Sequence, residues 1–217
     1  MRDLHAGAGP ADGTTFTRDW FSRCIPAWRD LLPRVMPRPA RILEIGAFEG
    51  RATCFMLETV LPPDADGEIH CVDTWQGGAE HAGIAMTEVL ERFRANVRAT
   101  LRRCGRHRVI THCKPSAAAL LGLLGQGFAG RFDLAYVDGS HQAPDVLEDL
   151  VLAFRLLRRG GLMICDDYAW QRQAPGAEDV LDTPKIAVDA FTTIYRRRLR
   201  LPEWPSSYQV ALVKTVE

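Results

Sequence analysis

The sequence predicts a single α/β domain with a doubly wound sheet that is mostly parallel. Short apolar runs alternate with helical periodicity from Arg41 to Arg197, which is typical of a parallel sheet. The first run, Arg41–Ile45, ends in two spaced glycines that lead into a helix. The 217 residues are 47% hydrophobic and 25% charged and show no break in composition, so we expect one core.

The N-terminal part is predicted to contain a tail and a helical segment. Residues 1–15 are rich in Gly, Ala and Pro, which indicates a flexible tail before a single domain at 16–217. Apolar side chains recur at helical spacing in Phe16–Met36, with a kink or break expected at Pro26. This segment could cover a ligand site or mediate a homodimer, but we expect it to pack on the sheet.

The remaining elements follow in order along the chain. We predict a strand at Arg41–Ile45, a helix from Thr53, a strand at Glu68–Val72, a helix at Met86–Arg103, a strand at Val109–Cys113, a helix at Ser116–Leu124, a strand at Phe132–Val137, a helix at Pro144–Arg158, a strand at Leu162–Cys165 and a helix at Pro184–Arg197. Two further runs, Arg198–Trp204 and Tyr208–Thr215, are joined by only three residues. Because so short a connection holds no crossover helix, we expect an antiparallel hairpin at the edge of the sheet.

The composition narrows the range of partners. The formal net charge is zero, which argues against nucleic acid and anionic membranes as partners. None of the six cysteines forms a Cys-x-x-Cys pair, and Cys71, Cys113 and Cys165 lie in apolar runs, so we expect buried free thiols in a reducing compartment. The absence of a signal peptide or long apolar span predicts a cytoplasmic protein.

The turn after the first strand has the features of a cofactor-binding loop. Gly46 and Gly50 permit a tight turn at a helix start, where free N–H groups face a ligand. Phe48 occupies the place of the middle glycine of dinucleotide-binding loops, and Glu44 would repel phosphate. Glu44 could instead accept hydrogen bonds from an amino group or a ribose. The turn therefore favours a cofactor without phosphates, although an ordinary strand-turn-helix remains open.

Acidic residues end most of the predicted strands. Glu44, Asp73, Asp138 and the pair Asp166–Asp167 should meet at one rim, where ligands bind to open α/β sheets. Asp73 could accept both hydroxyls of a ribose and Trp75 could stack on an adenine. A loop cap and ordinary core packing are the respective alternatives.

Three of these acids predict a metal site. Asp138, Asp166 and Asp167 would repel one another unless a cation or protons lay between them, and a hard ion such as Mg²⁺ suits carboxylate ligands. His141, three residues after Asp138, could take a proton from a substrate hydroxyl. Solvated loop acids and a structural histidine remain alternatives, and His81 is a weaker candidate for substrate contact.

These motifs resemble the class I S-adenosylmethionine-dependent methyltransferases, and the similarity covers nearly all of Arg41–Val216. The stretch Glu44–Thr53 looks like the turn of the cation-dependent enzymes related to catechol O-methyltransferase, in which the acid and glycines line the methionine part of the cofactor. The resemblance implies a Rossmann-like fold with S-adenosylmethionine bound by Glu44, Gly46, Ala47, Phe48, Gly50, Thr53, Asp73, Thr74, Trp75, Ser116 and Asp138. Pro115 replaces an acid that the family often carries before the Ser116 position.

The resemblance also implies metal ligands and a catalytic base. Asp138, Asp166 and Asp167 match the three ligands, and His141 matches the lysine base of catechol O-methyltransferase. The double aspartate is similar to the methyltransferases of macrolide and aminocoumarin sugars, whereas the catechol enzymes carry asparagine at the third ligand. The catalytic residues implied are thus His141 and Asp138, with Mg²⁺ as a second cofactor.

The expected reaction is O-methylation of a small-molecule hydroxyl. No Asn/Asp-Pro-Pro-Tyr/Phe motif of nitrogen methyltransferases follows the fourth strand, which favours oxygen as the acceptor. Two alternatives stay open. One is a metal-independent methyltransferase in which His141 alone deprotonates the acceptor. The other is a nicotinamide-dependent oxidoreductase on a similar sheet, which the missing middle glycine disfavours.

Overall fold

The computed structural model describes residues 13–78, 81, 83–171, 173–174, 176–177, 179–204, 206 and 208–217. Within these residues seven strands form one sheet, in the order β3-β2-β1-β4-β5-β7-β6. The strands are β1 (Arg41–Ile45), β2 (Glu68–Asp73), β3 (Arg108–Cys113), β4 (Phe132–Val137), β5 (Leu157–Cys165), β6 (Leu199–Arg200) and β7 (Val210–Lys214). Strands β1 to β5 are parallel, and β7 is antiparallel to both β5 and β6. The predicted fold class is confirmed.

Six α-helices connect or flank these strands in the described residues. They are α1 (Ile25–Val35), α2 (Arg51–Phe55), α3 (Met86–Cys104), α4 (Ser116–Gly125), α5 (Ala143–Leu156) and α6 (Pro184–Tyr195). A π-helical turn, Met56–Val60, continues α2, and short 3₁₀ turns occupy Ser22–Cys24 and Val180–Asp182. The alternation of strands and helices agrees with the order predicted from the sequence.

The start of β5 departs from the prediction. The strand begins at Leu157 instead of Leu162, and α5 ends at Leu156 instead of Arg158. The pairing with β4 shifts between Phe132–Leu157 and Leu134–Leu162. Gly160, with a φ of +77°, lies in this irregular stretch, where a bulge lets the strand begin early. At the other edge, Pro205 and Ser207 of the predicted hairpin connection lie outside the described residues.

Both faces of the sheet are covered, as its apolar strands require. One cluster of buried side chains joins Ile42, Ile69 and Tyr136 to the helices that precede β2 and β3. The other joins Leu43, Ala135 and their neighbours to α4, α5 and α6. A parallel sheet covered on both faces presents only its strand ends to ligands.

The N-terminal segment packs on the sheet, but its helix is shorter than predicted. Helix α1 begins at Ile25 after the 3₁₀ turn, so Phe16–Phe21 is not helical. Pro26 does not kink a longer helix but lies in the first turn of α1, where its missing N–H is harmless, so of the kink or break expected there the structure shows a break beside it. Trp28 and Leu31 are fully buried in the core.

Contacts also begin inside the predicted tail. Residues 1–12 lie outside the described part of the chain, but Thr14 is buried and the backbone N–H of Thr15 donates to Asn96 Oδ1 at 2.7 Å. All six cysteines are free thiols, yet Cys113 is exposed, contrary to expectation, because β3 is an edge strand. None of the helices seen in the described residues has the length and apolar character needed to span a membrane.

Candidate functional site

A cavity of about 1210 Å³ opens at the carboxyl ends of the parallel strands. Nine of the predicted site residues line this cavity: Gly46, Phe48, Asp73, Thr74, Ser116, Asp138, His141, Asp166 and Asp167. Trp20, Arg23, His81, Trp170 and Tyr208 are among the other residues that line it. The parallel topology thus brings residues far apart in sequence to one rim.

The turn after β1 is shaped by glycine and held by Asp73. Gly46 has a φ of +84°, and a Cβ on it would lie 1.8 Å from the backbone oxygen of Asp138. The N–H groups of Ala47 and Phe48 both donate to Asp73 Oδ2 at 2.9 Å, and the Trp75 N–H donates to Oδ1 at 2.7 Å. Asp73 therefore holds the loop, as one of the two alternatives expected, and it also lines the cavity, where its contact with a ribose stays a prediction.

Glu44 and Thr53 do not reach the cavity. The Thr53 hydroxyl donates to Glu44 Oε2 at 2.6 Å, and the Cys71 thiol donates to the same oxygen at 3.2 Å. Burial raises the pKa of Glu44 to about 7, although the Thr53 and Cys71 hydrogen bonds oppose this. We expected Glu44 and Thr53 to contact the cofactor directly. In the structure both side chains are buried beneath the turn, where they contact each other and support it.

Trp75 is likewise buried away from the cavity. Its indole N–H donates to the Phe48 carbonyl at 2.9 Å, and its ring lies 4.9 Å from that of Phe93. The expected stacking on adenine is therefore not available in this conformation. The apolar wall comes from other rings: Phe48 stacks on His81 at 5.3 Å, and Trp20 lies 4.8 Å from Phe48. Ala47 and Gly50 shape the turn through their backbones.

Asp138 and Asp166 form a crowded acidic pair. The single Tyr136 hydroxyl lies within hydrogen-bond distance of both carboxylates, 2.9 Å from Asp138 Oδ2. Gln209 Nε2 and the Asp167 N–H also donate to Asp166, at 2.8 and 2.7 Å. Burial raises the pKa of both acids; repulsion from Asp166 and Asp167 adds to the shift of Asp138, and repulsion from Asp167 adds to that of Asp166, while the hydrogen bonds oppose the shift. The pair needs a proton or a cation for balance.

The third acid, Asp167, is turned towards His141. Its φ is +54°, and its Oδ2 lies 2.7 Å from His141 Nε2. Its other oxygen is 3.5 Å from the Arg23 guanidinium, and Trp170 stacks on His141 at 4.1 Å. Across the described residues, no three His, Cys, Asp or Glu side chains converge as a formed metal site. The three predicted ligands thus share the cavity but do not point at a common centre here.

Sequence reasoning missed several residues that hold this end together. Trp28 Nε1 donates to Gln209 Oε1 at 3.0 Å, which joins the N-terminal helix to the acidic pair through Gln209. Arg23 stacks over the Tyr208 ring at 4.5 Å. Tyr136 was detectable, because it lies two residues before Asp138, which directly follows β4, and residues two apart along an extended chain face the same side. The contacts of Trp28 and Arg23 bridge more than 140 residues and leave no local signal.

The comparisons with known proteins agree with this architecture. The family described as "Methyltransferase domain" matches residues 43–168. A Bacillus cereus O-methyltransferase in complex with SAH (S-adenosylhomocysteine) has a similar structure, with a TM-score of 0.61 and 17% identity over 89% of this chain and 82% of that one. The calicheamicin methyltransferase CalS11 is also similar, with a TM-score of 0.60 and 16% sequence identity over 90% of this chain and 80% of that one.

A third similar structure carries a metal. MycE, a methyltransferase of the mycinamycin pathway solved with Mg, SAH and mycinamycin VI, gives a TM-score of 0.54 and 18% identity over 93% of this chain and 51% of that one. At these identities the structural similarities establish the fold alone. No curated protein has a sequence that matches the chain.

Proposed function

Because the chain belongs to the methyltransferase domain family and is an S-adenosylmethionine-dependent methyltransferase, we propose that it methylates a hydroxyl oxygen of a small molecule with the help of a divalent cation. Membership in this family contradicts the nicotinamide-dependent oxidoreductase that the sequence left open. One observation carries the proposal. A single cavity joins the glycine turn and Asp73 to His141 and the three aspartates.

The division of the cavity supports a cofactor at one end and chemistry at the other. The turn at Gly46 and the carboxylate of Asp73 offer backbone and an acid to a ribose and an amino acid group. His141 and Asp138 lie further along, where the acceptor would meet the methyl group. Solved structures of similar fold include a TDP-rhamnose 3'-O-methyltransferase and an SAH-bound O-methyltransferase, which supports oxygen as the acceptor atom.

The transfer itself is a displacement at carbon. S-adenosylmethionine, when bound, would supply the methyl group: the acceptor oxygen would form a bond to the methyl carbon as the carbon–sulfur bond breaks and its electron pair stays on sulfur. The acceptor proton passes to His141 Nε2. This nitrogen contacts Asp167 at 2.7 Å, so Asp167 must turn away before His141 accepts the proton. The rest of the rate enhancement comes from holding both reactants in line.

The residues present fit a divalent cation by their chemistry. Asp138 and Asp166 are acids whose pKa is raised first by burial and then by repulsion from neighbouring aspartates, and Asp167 lies beside them on the cavity wall. A hard cation bound by these three carboxylates would increase the acidity of the acceptor hydroxyl. MycE, a protein of similar fold, was solved with Mg.

A metal-independent reaction is the second candidate, and one contact favours it. The pair His141–Asp167 has the arrangement of a base oriented by a carboxylate: Asp167 would accept a hydrogen bond from the Nε2–H of His141 and hold the imidazole, and Nδ1 would then take the acceptor proton. In that case the proton carried by the Asp138–Asp166 pair, rather than a cation, balances their charge.

Calorimetry and turnover with and without Mg²⁺ separate the two candidates. The first predicts that EDTA abolishes methyl transfer, that Mg²⁺ restores it, and that Asp166→Ala abolishes Mg²⁺ binding while leaving SAH binding intact. Asp64→Asn, an exposed acid paired with Arg38, is the matched control and should bind Mg²⁺ like the wild type. Full activity in EDTA would establish the second candidate, and failure to bind SAH would overturn both.

A further inference from the structure

A buried side-chain amide lies directly behind the acid that follows β5. Gln209, the residue before β7, is 2% exposed, and its Nε2 donates to Asp166 Oδ2 at 2.8 Å. Its Oε1 accepts a hydrogen bond at 3.0 Å from the indole N–H of Trp28, a fully buried residue of α1. Its backbone N–H donates to the Ser206 hydroxyl at 3.0 Å. Gln209 is thus held by three separate partners, and nothing in the chemistry described above accounts for it.

Trp28 determines which way the amide of Gln209 points. An indole N–H only donates, so the amide atom that faces it is the oxygen. The NH₂ group then faces Asp166. A rotated amide would place its oxygen against the carboxylate and its NH₂ group against the indole N–H, and both hydrogen bonds would be lost. Gln209 therefore presents Asp166 with a donor in one fixed orientation.

The two carboxylate oxygens of Asp166 differ in what they can offer a ligand. Each carboxylate oxygen has roughly two positions for a hydrogen bond or a metal ion. Oδ2 has a partner at both, namely the Tyr136 hydroxyl and Gln209 Nε2. Among the described residues Oδ1 has one partner, the N–H of Asp167 at 2.7 Å, and so keeps one position. Asp166 is therefore prepared to bind a cation through one oxygen, not through two.

The number of oxygens that a carboxylate offers affects which cation it binds. This step depends on the proposed function, which takes Asp166 as a ligand of a divalent cation. Mg²⁺ requires a near-octahedral arrangement of ligands, in which a carboxylate fits best through a single oxygen. Ca²⁺ takes roughly six to eight oxygen ligands and readily binds both oxygens of one carboxylate. A carboxylate limited to one oxygen thus favours the smaller ion.

We propose that Gln209, oriented by Trp28, is a positioning residue that selects Mg²⁺ over Ca²⁺ by leaving Asp166 only Oδ1 as a ligand. Gln209 lies behind the cavity wall and acts through Asp166. Its hydrogen bond also fixes the plane of the carboxylate, so that Oδ1 keeps a constant direction. Removal of the donor frees one position on Oδ2 and permits the two-oxygen contact that suits Ca²⁺.

Calorimetry with Mg²⁺ and with Ca²⁺, on protein saturated with SAH, tests this selectivity. The wild type should bind Mg²⁺ more tightly than Ca²⁺. Gln209→Met keeps the length of the side chain but removes the amide, so its affinity for Mg²⁺ should fall about 10-fold while its affinity for Ca²⁺ is kept or rises. A role confined to the stability of the fold would lower both affinities by the same factor and leave their ratio unchanged.

Three further variants keep the test independent of how well Gln209→Met folds. Tyr136→Phe keeps the buried ring and frees the other position on Oδ2, so it should shift the ratio in the same direction. Trp28→Phe removes the N–H that orients Gln209 and should give a smaller shift of the same sign. Gln126→Met replaces an exposed amide at the end of α4, is the matched control, and should keep the wild-type ratio.

The outcomes separate this proposal from the proposed function. A wild-type ratio in both Gln209→Met and Tyr136→Phe would overturn the selection by Gln209, as would a wild type that binds Ca²⁺ more tightly than Mg²⁺. A wild type that binds SAH but neither cation would instead overturn the divalent cation of the proposed function.

Discussion

The two halves of the cavity balance their charge in opposite ways. In the half that we propose binds the cofactor (the cofactor half: the turn Gly46–Gly50 and Asp73), one carboxylate accepts hydrogen bonds from three backbone N–H groups. In the half that we propose carries the chemistry (the catalytic half: Asp138, His141 and Asp166–Asp167), two buried acids share one tyrosine hydroxyl, and Asp166 repels Asp138. The carboxylate of the first half is stabilised by backbone donors, whereas the acids of the second half repel one another and face a cation, the Arg23 guanidinium.

Because of this difference, substitutions in the two halves should affect the stability of the fold and the activity of the protein in different ways. A loop whose acid is saturated with donors is already in its ligand-binding shape, so binding orders little else. A pair of buried like charges weakens the fold until a proton, a cation or a ligand balances it. Substitutions in the cofactor half should therefore destabilise the protein, and some in the catalytic half should stabilise it while abolishing activity.

Gly46→Ala should have the largest effect, because it affects both halves at once. The added Cβ would lie 1.8 Å from the Asp138 backbone oxygen, and alanine is strained at a φ of +84°. We expect unfolding to become easier by about 3–5 kcal/mol, with loss of SAH binding. Thermal and urea unfolding monitored by circular dichroism measure the first effect, and calorimetry measures the second.

Gly127→Ala is the matched control for this prediction. Gly127 has the same φ of +84°, but an added Cβ would meet no atom within 4 Å. It should therefore lose only about 1 kcal/mol, which is the conformational part of the cost. Equal losses in the two variants would show that strain in the turn, and not the contact between the two halves, makes Gly46 necessary.

Asp73→Ala should break the cofactor half. Three N–H groups, of Ala47, Phe48 and Trp75, would lose their shared acceptor. Hydrogen bonds to a charged acceptor contribute about 1.5–3 kcal/mol each, but the three N–H groups are only partly buried and regain contact with water, so we expect a net loss of about 2–4 kcal/mol and SAH binding weakened about 100-fold or more. Asp73→Asn should recover part of the stability, because its carbonyl oxygen still accepts. If Asp73→Ala keeps wild-type stability, the turn is not held by this side chain.

The cofactor half was also the easier one to predict from the sequence. The strand Arg41–Ile45, the glycines and Asp73 lie within 33 residues, and each follows from a local rule about strands, turns or strand ends. The orientation of side chains within that stretch was less accessible. Glu44 and Trp75 turn into the core because of packing against Thr53, Cys71 and Phe93, which no local rule contains.

The catalytic half was predicted by residue type but not by arrangement. Parallel topology was enough to bring Asp138 and Asp166–Asp167 together. Their partners come from distant segments: Arg23 and Trp28 from the N-terminal part, and Gln209 from the start of β7. Such contacts depend on how α1 packs over the sheet, and a pattern of apolar spacing does not specify which polar atoms then meet.

Asp138→Asn should stabilise the protein, in contrast to the substitutions in the cofactor half. The substitution removes one of two buried like charges but keeps an acceptor for the Tyr136 hydroxyl. At pH 8, without divalent cations, we expect a gain of about 2 kcal/mol, together with a loss of methyl transfer of about 100-fold or more. Glu203→Gln, an exposed acid far along the chain, should change neither quantity. A destabilised Asp138→Asn protein would mean that the acidic pair is already balanced.

Glu44→Gln should give the smallest effect. It tests whether the buried carboxyl group of Glu44, beneath the turn, binds a proton in the folded protein. Burial raises the pKa of Glu44 to about 7, above the value of about 4.3 in an unfolded chain. The folded protein then binds more protons than the unfolded chain between these values, so its stability falls as pH rises from about 4.3 to 7.

Glutamine removes this dependence on pH and keeps an acceptor for Thr53 and Cys71. Its amide NH₂ group, however, would take the place of Glu44 Oε1, which has no hydrogen-bond partner among the described residues, and would be buried without one. The net gain at pH 8 should therefore be only about 1 kcal/mol. Urea unfolding at pH 5 and at pH 8 measures it: the wild type should lose stability between the two, and Glu44→Gln should lose less. If the free energy of unfolding changed equally between pH 5 and pH 8 in the two proteins, Glu44 would be ionised beneath the turn. The cofactor half would then have to supply a positive charge to balance it.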